Sequence, residues 1–321
     1  MRKIVLTLFF AQSVFAQFAP PAGQIGSTAI SKDSSIIVNW ANYCVLQRGL
    51  QDISNTSGPY ATIGDSSKPL GIADNSVVSL GDGGVAVLTF PQAITDGAGY
   101  DFAVFENSFS DDYLEFGFVE VSSDGINFFR FPATSNIQDT AQTGPFDLSD
   151  ATKVNNLAGK YRALFGTPFD LSELQGTSGL DVNNITHVKI IDVVGSINPS
   201  YATYDKNNNK INDPWPTQFG SSGFDLDAVG IINQKPNSIK ENDPETSISV
   251  YPNPCKESLV VSLKEESAVV CLNDLAGNEI VVQEIKNSVA KFDIKGLPAG
   301  IYYLKITSPN KTSIKKIVVS E

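Results

Sequence analysis

Apolar and polar positions alternate along this chain in short runs, and almost nowhere do they keep a helical period. Between residues 17 and 233 the runs are SIIVNW, VVSLG, GVAVLTF, YDFAVFEN, GFVEVSS, NFFRF, THVKIIDVV and DAVGII. Each is rich in β-branched and aromatic residues and is bounded by Gly, Pro, Asn, Asp or Ser, as strands between turns are. In GVAVLTF, Val85, Val87 and Thr89 alternate with Ala86, Leu88 and Phe90, which predicts a largely buried strand. In GFVEVSS, Phe118 and Glu120 share one face and Val119 and Val121 the other; Ser123-Asp124-Gly125-Ile126-Asn127 then reads as a hairpin turn. Helix is expected only in LAGKYRALFG and DLSEL. Two stacked sheets that bury alternate faces of such strands predict a jelly-roll β-sandwich for residues 17–233.

A second series, VVSL, AVVCL, EIVVQEI, AKFDI, IYYLKI and KKIVV, fills residues 246–321, with Asn-Pro, Ala-Gly-Asn and Pro-Ala-Gly turns between the runs. Many short strands at close intervals predict a small immunoglobulin-like β-sandwich. Between the two series, NQKPNSIKENDPET is polar, carries two prolines and offers no apolar face. It predicts a linker at residues 234–245. The expected fold class is therefore all-β in two domains.

The first residues read differently. Arg2 and Lys3 precede the apolar run Ile4 to Phe10, and Val14-Phe15-Ala16 supplies small or aliphatic residues at a cleavage position. This predicts a secretory signal peptide over residues 1–16, cut after Ala16. The run is too short to span a bilayer, which takes about 20 apolar residues. No cysteine follows the cleavage point, so no lipoprotein anchor is expected, and no other stretch reads as a transmembrane helix.

Charge narrows the function. Asp and Glu number 35 against 23 Lys and Arg, a formal net charge of −12. That balance opposes nucleic-acid binding, which depends on cationic contacts to phosphate. It suits an exported surface protein whose loop carboxylates collect calcium. Three cysteines cannot all pair; Cys255 and Cys271 are either one bridge or, with Cys44, small buried residues.

Within residues 246–321, four landmarks occur in order. Tyr251, Pro252, Asn253 and Pro254 open the segment, and Asp274 with Gly277 form a turn. Leu297, Pro298, Gly300, Ile301 and Tyr302 follow, and Lys315 with Lys316 make a basic last strand. The set resembles the C-terminal sorting domain of the type IX secretion system, type A. The resemblance implies a Bacteroidota-type protein carried through the periplasm and across the outer membrane by that machinery, and then secreted or held at the cell surface.

The first domain carries a fainter resemblance, over roughly residues 75–233. VSLGDGGVAVLTFPQAITDGAGYDFAVFENSF, FVEVSSDGINFFRFP, HVKIIDVVGS and DPWPTQFGSSGFDLDAVGIIN look like uncharacterised bacterial cell-surface domains. Val-Glu-Val-Ser-Ser-Asp-Gly-x-Asn-Phe also resembles galactose-binding-like jelly rolls, including carbohydrate-binding modules. That resemblance implies the fold more than any activity, since one fold hosts many functions.

Candidate chemistry is concentrated in acids and aromatics. Asp205, Asn207, Asn209 and Asp213, with the Ile211 carbonyl, place oxygens at every second position, as calcium loops do. Against this, Lys210 stands where a turn glycine is usual, and Asn and Asp also favour plain turns. Asp101, Glu106, Asp225 and Asp227 form a second set. Asp225 and Asp227 share a strand face, and the FAVFEN and FDLDAV strands are candidates to lie side by side. The set reads either as a metal or polar ligand site or as solvated sheet-edge residues. Trp215, held between Pro214 and Pro216, either presents its indole to a ligand or folds back over the sandwich end; Trp40 and Tyr43 are further candidate contacts. Phe102, Phe105, Phe109, Phe116, Phe118, Phe128, Phe129 and Phe131 are expected mostly in the core.

Other chemistries are poorly served. The single histidine, His187, sits in a strand pattern without a Gly-x-Ser-x-Gly elbow, which argues against serine hydrolysis and against zinc. Gly81-Asp82-Gly83-Gly84 lacks the lysine of a phosphate loop and reads as a turn. The expectation is a calcium-stabilised surface binding protein for carbohydrate. The alternatives are capture of a nutrient cofactor such as a corrinoid, a structural or adhesive role and, least favoured, glycoside hydrolysis.

Overall fold

A computed structural model describes residues 18–235, 248–263, 267–286, 288–308 and 312–320. The expected signal peptide and most of the expected linker lie outside the described residues. The chain divides into two compact units, Met1–Pro236 and Asn237–Glu321.

The described residues of the first unit form thirteen strands: β1 (Ile30–Ser31), β2 (Asn39–Trp40), β3 (Tyr43–Gln47), β4 (Val78–Ser79), β5 (Val85–Ile94), β6 (Phe102–Glu106), β7 (Gly117–Ser122), β8 (Phe129–Arg130), β9 (Thr134–Ser135), β10 (Val154–Asn155), β11 (Phe165–Phe169), β12 (Ile185–Asp192) and β13 (Asp225–Ile231). One sheet runs β1-β11-β6-β13-β2, with β4 also on β13; the other runs β3-β5-β12-β7-β8. Successive long strands cross from sheet to sheet, so that β2-β13-β6-β11 forms one layer and β5-β12-β7-β8 the other. That order is the jelly roll.

The alternation seen in the sequence explains the core. Ala86 and Leu88 from β5, Val119 and Val121 from β7, and Val188 and Ile190 from β12 meet Phe102, Val104, Phe169, Leu226, Val229 and Ile231 from the opposite layer. Between Leu226 and Ala228 the β13–β6 register shifts, and Ala228 joins a separate outer cluster with Ala103, Phe105 and Trp40. Glu120, on the outward face of β7, pairs with Arg130 at 2.8 Å and Lys189 at 2.5 Å.

LAGKYRALFG does not form a helix. Gly159 (φ 81°) and Leu164 (φ 69°) take left-handed backbone, and Leu157, Ala158, Lys160 and Tyr161 are all buried, a run that no single helix face can provide. DLSEL is a 3₁₀ turn over Leu171–Leu174, capped by the Asp170 carboxylate on the Ser172 N–H.

In the second unit, β14 (Ser249–Tyr251), β15 (Ser258–Ser262) and β18 (Val289–Asp293) form one sheet in the order β14-β15-β18. A second sheet, β17-β16-β19-β20, is built from β16 (Ser267–Asn273), β17 (Glu279–Lys286), β19 (Gly300–Thr307) and β20 (Thr312–Val319). This is an immunoglobulin-like sandwich around Leu259, Val261, Val270, Leu272, Phe292, Leu304 and Ile317. The landmark residues have structural duties in it. Asn253 bonds both Val318 N–H and Lys316 C=O, so its amide acts as an extra strand partner for β20. Asp274 accepts the Ala276 and Asn278 amides while Gly277 takes φ 86°. The buried Tyr302 donates its hydroxyl to Pro298 C=O at 2.8 Å, which is the geometry of a tyrosine corner. Gly300 opens β19, Leu297 packs on the core, and Lys315 and Lys316 lie on β20. Cys44, Cys255 and Cys271 are all buried, unpaired thiols.

Candidate functional site: an acidic cavity with an aromatic rim

β6 and β13 are antiparallel neighbours, and Leu226 lies opposite Glu106. The C-terminal end of β6 is therefore brought beside the start of β13, along with the loops that leave one strand and enter the other. A cavity of about 320 Å³ opens there, lined by Tyr113, Glu115, Thr217 and Asp225 and by the rings of Phe109, Phe146 and Phe219. Phe109 stacks on Tyr113 with centroids 4.5 Å apart, and Phe146 meets Phe219 at 5.8 Å.

Behind this rim the wall is acidic. Glu106 accepts the Ser108 N–H through Oε2 at 2.8 Å, and Asp213 accepts the Phe116 N–H through Oδ2 at 2.8 Å. The second oxygen of each, Glu106 Oε1 and Asp213 Oδ1, is buried without a partner. Asp225 takes the Ser79 hydroxyl. Glu115, between Leu114 and the amide that Asp213 holds, has no side-chain hydrogen bond among the described residues. None of the ion pairs among the described residues reaches these four acids. Burial raises all four carboxyls. Glu106, Glu115 and Asp213 stand well above the usual carboxylate range, with neighbouring carboxylates adding to the effect, and Asp225 is raised to about 7.

Of the second acidic set read from the sequence, only Glu106 and Asp225 come together here. Asp101 lies at the opposite end of β6, about 16 Å away by strand rise. It ties three segments by accepting from Gly97 N–H, Leu171 N–H and Asn233 Nδ2. Its oxygens converge with those of Asp96 and Asp170 to within 4.8 Å. Asp227 accepts the amides of Asp74 and Asn75 and so anchors the loop before β4.

The Asn-rich loop has the geometry of a hairpin turn. Asp205 Oδ1 accepts the Asn207 and Asn209 amides, and Oδ2 accepts the Ser135 amide and Asn209 Nδ2. N–H donors thus surround the carboxylate where a cation would need its lone pairs, and Tyr204 pairs with Lys210 across the turn. Asn208, not Lys210, takes the left-handed conformation, with φ 65°. Ile211 is buried and bonds Thr203, while Asp213 turns away to Phe116. The loop does not assemble the calcium shell expected from Asp205, Asn207, Asn209, Ile211 and Asp213.

The aromatic expectations also shift. Trp215 is folded back, because its Nε1 donates at 3.0 Å to Asp82, a buried carboxyl raised to about 6 that needs donors. Trp40 packs on Phe105 at 5.3 Å and covers Gly230 on the outer face of its sheet. Tyr43 is exposed on β3, and none of the three lines the cavity. Phe109, expected in the core, is 75% exposed at the rim. Glu115, Phe146 and Phe219 were not singled out by the sequence. The available signal was an isolated phenylalanine in each of two polar, Gly- and Pro-containing loops, Thr143-Gly-Pro-Phe146-Asp and Gln218-Phe219-Gly-Ser.

No curated protein matches this chain. Among solved structures, it is similar to PorZ, a surface component of the type IX secretion system of Porphyromonas gingivalis, at 18% identity and TM-score 0.22, over 30% of this chain and 14% of that one. It is similar to the BSP domain of a biofilm-associated protein at 11% identity and TM-score 0.21, over 90% and 53%. It is also similar to a β-glucuronidase from Ruminococcus gnavus at 13% identity and TM-score 0.19, over 74% and 36%. The chain thus spans little more than half, or less, of each structure, and the likenesses are too slight to carry a functional inference. Residues 249–320 match the family described as the secretion system C-terminal sorting domain. No helix among the described residues is long and apolar enough to cross a membrane. The second unit is a type IX sorting domain, and its presence directs this protein to export, to the cell surface or the medium.

Proposed function

We propose that the exported jelly roll is a binding protein for carbohydrate and that the cavity between β6 and β13 receives the sugar. The observation that carries this is the exposure of three rings, Phe109 at 75%, Phe146 at 71% and Phe219 at 43%, around a polar floor. Single exposed apolar side chains are ordinary, but rings gathered around one cavity mark an interaction site. A sugar offers both complementary features: an apolar C–H face for the rings, and hydroxyl donors for the carboxyl and Thr217 oxygens. The volume falls at the lower end of the range for small-ligand sites, which favours one terminal residue of a glycan over an internal stretch.

A glycan array probed with the full chain, followed by titration of the best glycan, tests the reading. Phe146→Ala and Phe219→Ala should each weaken binding about tenfold, the loss of one well-placed stacking contact, with melting temperature unchanged. Glycan binding that survives both substitutions would place the sugar site elsewhere, and an array with no hits would remove carbohydrate as the ligand class.

A further inference from the structure

The acids behind the cavity present a problem that the sugar does not solve. Glu106 and Asp213 are 1% and 3% exposed, and each leaves one carboxylate oxygen with no hydrogen-bond partner. Glu115 and Asp225 add two more carboxylates on the cavity wall. A buried polar atom without a partner is costly, and a buried charge without a counter-charge is more so. Lysine and arginine do not supply the counter-charge, since the described ion pairs involve other acids.

The trio Asp96, Asp101 and Asp170 makes an instructive contrast. Its oxygens converge to within 4.8 Å, yet Asp101 has three N–H donors and Asp170 caps a 3₁₀ turn, so two of the three acids are already served. The four acids behind the cavity do not draw their oxygens that close, and an ion between them would reverse the sign of their mutual repulsion.

We propose that Glu106, Glu115, Asp213 and Asp225 hold one calcium-class divalent cation behind the cavity. All the donors are hard oxygens, and their irregular arrangement from a strand end, two loops and a strand start suits calcium, which accepts variable oxygen shells, better than magnesium, which demands a near-ideal octahedron. The cavity reaches Glu115 and Asp225 and so supplies a path for the ion from solvent. The site stands whether or not the cavity takes a sugar.

The test is calcium titration of the chelator-treated full chain by calorimetry, with melting temperature read in parallel. One calcium should bind, and at a hundredfold excess over Kd the first unit should melt about 5–10 °C higher. Glu106→Gln and Asp213→Asn should each weaken calcium binding at least tenfold while melting no lower than wild type without calcium, because each replaces a buried acid that has no counter-charge with a neutral amide of similar shape. Asp205→Asn should bind calcium as wild type does. Absence of binding at millimolar calcium, binding unchanged in both Glu106→Gln and Asp213→Asn, or binding lost in Asp205→Asn would each overturn the proposal.

Discussion

At the scale of single residues, the first unit is a set of buried charges, each answered differently. Lys160 is 3% exposed, and its Nζ donates to Val154 C=O at 2.8 Å, with the Asp150 charge acting on it. Burial lowers its ammonium to about 8. A lysine with a lowered folded value binds fewer protons than in the unfolded chain, so its penalty is full below about 8 and lifts as pH climbs to the ordinary 10.5. The first unit should therefore gain about 3 kcal/mol over that interval from this residue. In denaturant melts at pH 8 and pH 10, Lys160→Met should lack this gain; parallel curves for the two proteins would show that Lys160 does not carry a strained charge. Asp205 shows the other solution, a carboxylate saturated by N–H donors. That distinction between donors and acceptors was beyond the sequence, because Asp-x-Asn-x-Asn serves a cation shell and a self-bonded turn equally well until the backbone is known.

At the scale of elements, what could be read in advance follows the strength of the alternation. The eight runs singled out in the first unit all contain strands, since each gathers β-branched or aromatic residues between turn-forming ones; β5 and β12 bury alternate positions, while β6, β7 and β13 are buried on both faces. β11 was missed because Gly166 and Pro168 interrupt it. A Cβ on Gly166 would lie 2.8 Å from the Phe105 ring, so that glycine serves packing, a tertiary reason with no local signature. The candidate site divides in the same way. Glu106 and Asp225 mark the ends of two legible strands that pair, and could be placed together. Glu115 and Asp213 meet them only through the long-range contact of Phe116 N–H with Asp213, which no spacing reveals. Gly159 holds Glu115 in place: its φ is 81°, and a Cβ there would lie 1.8 Å from the Glu115 carbonyl oxygen. Gly159→Ala should cost more than about 3 kcal/mol in chemical denaturation, whereas the same change at Gly99, where a Cβ meets nothing within 4 Å, should cost less. Equal losses at the two positions would mean that left-handed backbone strain, shared by both, accounts for the whole effect.

At the scale of the whole molecule, two sandwiches divide the work between destination and chemistry. The second unit carries the sorting function in elements whose landmarks are also its structural pins, Asn253 on β20 and Tyr302 on Pro298. Deleting residues 249–320 should leave the first unit folded but retained in the periplasm, as cell fractionation with an antibody to the first unit would show; unchanged arrival at the surface or in the medium would deny the tail its role. The first unit concentrates its unanswered acids and its exposed rings at one place, where β6 ends and β13 begins, and the account rests on that place being the working site. The most direct measurement is an anomalous difference map from a crystal of the full chain grown with calcium. The account predicts one peak between Glu106, Asp213 and Asp225, with Glu115 turned toward it. A peak only at the Asp205 loop or at Asp96, Asp101 and Asp170, or no peak within the first unit, would contradict it.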